Sequence, residues 1–72
     1  MKYFITEKNN SLVIFLDVFK MKTLCQIADL IENDYPGSVI EVTHNFVAKQ
    51  GRIILKKESA EFINKIMELL DV

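Results

Sequence analysis

Cysteine, histidine and proline each occur once in this chain of 72 residues, glycine twice and tryptophan not at all. Each scarcity closes a route. With Cys25 alone, no disulfide forms within a monomer, so the cross-linked frameworks of small secreted domains are excluded. Cys25 and His44 supply two soft ligands at most, short of the four a structural zinc takes, so no metal is expected. Two glycines do not build a loop that cradles phosphate, and the carboxylates fall in no DxD, HxH or ExxH arrangement. No cofactor, no small-molecule substrate and no enzymatic activity are therefore expected. The longest unbroken apolar run, residues 12–16, is far too short to cross a bilayer, and the N-terminus has no signal-like apolar segment. A cytoplasmic protein is the expectation, consistent with a lone free thiol.

A dominant charge is missing as well. The formal net charge is −1, which gives no global field toward nucleic acid or a membrane. Locally the charge is blocky: Asp29, Glu32, Asp34 and Glu41 precede a basic stretch of Lys49, Arg52, Lys56 and Lys57, and acids dominate again after it. Such blocks ordinarily describe solvated faces.

What is present is a pattern that reads twice. Strand, polar turn, strand and amphipathic helix fill residues 1–37, and the same order fills residues 38–72. Two units of one common motif resemble each other whether or not they arose by duplication. A first strand is expected over residues 2–6, where Phe4 and the Tyr3/Ile5 pair are equally apolar and leave the inward face open. Asn9-Asn10 signals a turn. A second strand over residues 11–19 puts Leu12, Ile14, Leu16 and Val18 on one aliphatic face, and Val13, Phe15, Asp17 and Phe19 on the other. The even-numbered set is the expected core.

A helix follows from near Thr23, where Thr23 and Gln26 have capping-box spacing. Leu24, Ile27, Ala28 and Ile31 form its inward stripe, while Asp29, Glu32 and Asp34 are expected to point outward. Tyr35-Pro36-Gly37 ends it. The third strand, residues 38–46, alternates Ile40, Val42, His44 and Phe46 against Val39, Glu41, Thr43 and Asn45. A Lys49-Gln50-Gly51 turn leads to the fourth strand over residues 52–57, where Ile53 and Leu55 oppose Arg52, Ile54 and Lys56. A second helix is expected over residues 59–70, capped by Ser59, with a broad stripe of Phe62, Ile63, Ile66, Met67, Leu69 and Leu70. The fold expected is α+β, ββαββα, in one domain over residues 1–72: a single four-stranded, mainly antiparallel sheet with two helices packed on it.

Four features could carry function. His44 needs an orienting acid or a nucleophile within reach to act as a base, and Thr43 and Glu41 fall on the opposite face. Cys25 lies just past a helix N-terminus, yet free cysteine is usually packed, so a core-edge position is expected. Phe46, Lys49, Arg52, Lys56 and Lys57 gather an aromatic and four cations around one hairpin, a set able to hold phosphates while Phe46 stacks on a base. Flanking acids dilute it. The fourth feature is the second face of the sheet. If both helices cover the Leu12/Ile14/Leu16 side, then Val13, Phe15, Phe19, Val39 and Ile54 lie uncovered, and so large an apolar face calls for a partner. The sequence thus points first to a small protein-binding module of the regulator or inhibitor type found in bacteria and phages, homodimeric through Val13, Phe15, Phe19 and Ile54. Nucleic-acid binding by the 46–57 hairpin is the alternative.

Overall fold

The structure, a computed structural model, describes residues 2–18 and 20–71. They form β1 (Tyr3–Lys8), β2 (Ser11–Leu16), α1 (Met21–Asp34), β3 (Val39–Asn45), β4 (Gln50–Lys56) and α2 (Phe62–Leu70). The order ββαββα and the α+β class stand as the sequence implies. The strands make one antiparallel sheet in the order β1-β2-β4-β3. Each ββα half supplies a hairpin, and the two hairpins meet along their second strands.

The central strands β2 and β4 carry the densest aliphatic alternation. Leu12, Ile14, Leu16, Ile53 and Leu55 are buried on one face, whereas Val13, Phe15 and Ile54 are half-buried on the other. Leu24, Ala28 and Ile31 of α1 and Phe62, Ile66 and Leu70 of α2 join the same buried cluster. Both helices therefore cover the same face. The Tyr35 and Phe62 rings meet edge to face at 5.0 Å where the two helical units touch. Beyond α2, the Asp71 carboxylate accepts a hydrogen bond from the Tyr3 hydroxyl at 2.7 Å, tying the chain end to β1. That bond, followed by burial and the Asp71 charge, raises the Tyr3 pKa above its usual value.

Pairing resolves the ambiguity of β1. Tyr3 stands opposite Leu16 and Ile5 opposite Ile14, so both lie on the core side, and Phe4 is left 63% exposed beside Phe15 on the other. In β3 the register slips between Val39 and Glu41, an irregularity that a strict two-residue alternation misses. Val39 consequently packs against the core and does not belong to the uncovered face, while Ile40 is 58% exposed.

Other local expectations shift. Helix α1 starts at Met21, with extended Lys20 as its N-cap and no side-chain cap, so Thr23 already lies inside the first turn and no capping box forms. Likewise α2 starts at Phe62 after a turn in which the Phe62 N–H bonds the Ser59 carbonyl at 3.2 Å; Ser59 is not its cap. Strand β2 ends at Leu16, and Val18 still packs against the core beyond it. Gly51 is not in a turn but inside β4. A Cβ there would run into the Leu24 side chain and the Val18 carbonyl, so glycine lets α1 sit close to the sheet. Lys49 takes the positive φ of the hairpin instead, at 53°.

Glu32 does not simply face solvent. Its carboxylate accepts the backbone N–H groups of Gly37 and of Val39, the latter at 3.1 Å, pinning the α1–β3 connection. Those two bonds, Gly37's the larger, hold its pKa below the ordinary glutamate range against a smaller opposing effect of burial. Gly37 itself turns the chain at φ 83°.

Candidate functional site

Cross-strand register lays out the open face in rows. Phe4, Phe15, Arg52 and Thr43 form one row across β1, β2, β4 and β3, and Thr6, Val13, Ile54 and Glu41 form the next. Below them stand Lys8, Ser11 and Lys56. Period 2 puts these residues on the side away from the helices. The apolar centre is thus Phe4, Val13, Phe15 and Ile54, and its rim is polar, with Lys8, Arg52 and Lys56 outnumbering the single acid Glu41. The Phe4 and Phe15 ring centroids lie 6.4 Å apart, a tilted contact that makes one continuous aromatic surface across β1 and β2. Arg52 Nε donates to Thr43 Oγ1 at 3.2 Å, which holds the guanidinium on the open face, toward β3. A groove of about 340 Å³ continues the surface past Phe4, Phe15 and Asp17 toward Lys49 at the hairpin.

Three of the four residues expected for partner contact, Val13, Phe15 and Ile54, thus share this face; Phe19 lies outside the described residues. Phe4 is the member that sequence reasoning missed. Its signal was present only as an ambiguity with Tyr3 and Ile5, and only pairing with Phe15 decides it.

The basic hairpin is less concentrated. Phe46 and Val47 are exposed at its tip, with Phe46 meeting the His44 ring edge-on at 4.4 Å. Lys49 is near that tip, and Lys56 stands at the far end of β4; seven residues at about 3.3 Å separate them by roughly 23 Å. Lys57 pairs with Glu7 at 3.0 Å, a partly solvated bridge worth little stability. The five residues form no single patch.

His44 is half-buried opposite Gly51, and its Nδ1 is buried without a hydrogen-bond partner among the described residues. Cys25 is exposed, not packed at the core edge. About 100° per residue carries it off the Leu24/Ala28/Ile31 stripe. Among the described residues no group of three or more His, Cys, Asp or Glu could hold a metal ion. No helix of the described residues is long and apolar enough to cross a membrane.

Comparison with protein-family models, curated proteins and solved structures returns no match. The functional reading rests on the geometry of the open face.

Proposed function

We propose that the chain is a small non-enzymatic protein-contact module, of the regulator or inhibitor kind and cytoplasmic, that works through the open sheet face and self-associates there as a homodimer. The observation that carries this reading is the placement of both helices on one face, which leaves Phe4, Val13, Phe15 and Ile54 facing outward. A half-covered sheet normally alternates apolar-in with polar-out. Here the outward set is apolar at its centre, the composition of an interface core with a polar rim.

Size sets the strength of the contact. Four strands at about 4.8 Å and six residues at about 3.3 Å give a planar footprint of roughly 400 Å² per copy. That is about half of the ~800 Å² per partner of a standard interface, so the dimer is expected to be reversible and concentration-dependent. The test is solution mass by light scattering at several concentrations and two salt levels. Growth toward twice the monomer mass supports the reading, and a monomer throughout the range refutes self-association. The same salt series addresses the hairpin alternative: affinity for an oligonucleotide that falls steeply between low and physiological salt, and is lost on reversing Lys49 and Arg52, would favour nucleic acid instead.

A further inference from the structure

The arrangement of charge on the open face selects how a second copy sits on it. Two sheets stacked face to face keep their strands nearly aligned, about 10 Å apart, and a two-fold axis relating them lies in the plane between them. It runs either along the strands or across them. The two choices bring different residues together.

An axis across the strands, centred on the Val13/Ile54 row, superposes each strand on its own copy. Arg52 then meets Lys56 of the other copy twice over, and Glu41 meets Glu41. Moved up half a row, the same axis seals Arg52 over Ile54 and brings Lys2 toward Lys8; moved up a full row, it sets Arg52 over Arg52. Each version buries a cation against a like charge or an alkyl surface, which is costly.

An axis along the strands, between β2 and β4, exchanges the two halves of the sheet. Val13 then faces Ile54, Phe4 faces Thr43, Thr6 faces Glu41 and Ser11 faces Lys56. Phe15 faces Arg52, and the symmetry makes that contact twice. No cation stands over a cation. The guanidinium lies over an aromatic face, where the ring quadrupole attracts it, and its bond to Thr43 Oγ1 already holds it on this side of the sheet.

Resting on the reading of the open face as a self-association surface, we propose that the chain dimerises face to face about a two-fold axis parallel to β2 and β4, with Phe15 of each copy packed against Arg52 of the other. The interface is isologous, as closed dimers require.

Single-cysteine variants test the orientation. In a Cys25→Ser background, Val13→Cys and Ile54→Cys chains are prepared separately, mixed, and treated with a short bis-maleimide. The proposal expects the mixture to give the cross-linked dimer at least several-fold more efficiently than either variant alone. Faster self-linking of Val13→Cys alone would overturn it in favour of the axis across the strands. If light scattering shows a dimer but neither pair links, the orientation is wrong and the dimer stands; a monomer at every concentration removes the underlying reading as well. Should either cysteine disturb folding, Thr6→Cys mixed with Glu41→Cys repeats the measurement: preferential linking in the mixture supports the proposed axis, and faster self-linking of one variant overturns it.

Discussion

The two faces of this sheet both have an apolar centre and differ in what covers it. On one, Leu12, Ile14, Leu16, Ile53 and Leu55 are sealed by two helices. On the other, Val13, Phe15 and Ile54 keep part of their surface in water and Phe4 most of it. The first face accounts for folding. The second is not needed for that purpose, since an outward strand position accepts threonine or lysine, as Thr43 and Lys56 illustrate. Apolar residues where polar ones would serve are the reason for assigning the open face to contact.

The sharpest way to break that contrast is a pair of sequence neighbours. Ile53→Ala should cost about 2–5 kcal/mol in urea unfolding, because it hollows a sealed core. Ile54→Ala should cost about 1 kcal/mol or less at concentrations where the chain is monomeric, as expected of a site short of full burial. Equal losses would mean the open face is covered after all.

Glycine gives a second, smaller contrast. Gly51→Ala forces a methyl group into Leu24 and the Val18 carbonyl, and overpacking of that kind costs about 1–3 kcal/mol. Gly37→Ala meets no atom but must hold φ 83°, costing about 1–2 kcal/mol. Thermal melts of the two variants rank close approach against backbone strain.

The smallest effects come from two ties at the margins of the covered face, and they respond to pH in opposite directions. Glu32 is held below its usual pKa, so its contribution is present above about pH 4.3 and is lost as pH falls through the lower folded value. Glu32→Gln should therefore lower stability at neutral pH and flatten the acid limb. Tyr3 is held above its usual value, so its contribution is present below about pH 10 and disappears as pH rises through the higher folded value. Tyr3→Phe should flatten the alkaline limb. Denaturation midpoints across pH check both.

Where the sequence could be read, a strong local period was the reason. The aliphatic alternation of residues 11–16 and the helical stripes through Leu24, Ala28, Ile31 and through Phe62, Ile66, Leu70 specify both elements and inward faces. Features set by tertiary contact were not legible. Phe4 competes on equal terms with Tyr3 and Ile5 until the register with β2 is known. The slip at Ile40 changes which side of β3 Val39 joins, and no composition signal announces it. Gly51 reads as a turn residue because glycine usually marks one, yet it serves the approach of α1. Glu32 reads as solvent-facing because its partners, Gly37 and Val39, are backbone groups beyond the helix end. The open face itself was legible in Val13, Phe15 and Ile54, conditional on both helices choosing the same side.

Contact on the open face and folding on the covered face are separable by one substitution, Phe15→Glu. Solution mass and melting temperature are compared for the unaltered chain and for this variant over a range of concentrations. The unaltered chain is expected to dimerise as concentration rises, and Phe15→Glu to stay monomeric with a melting temperature close to that of the unaltered monomer. A Phe15→Glu chain that unfolds, or an unaltered chain that stays monomeric at every concentration, would contradict that division of roles.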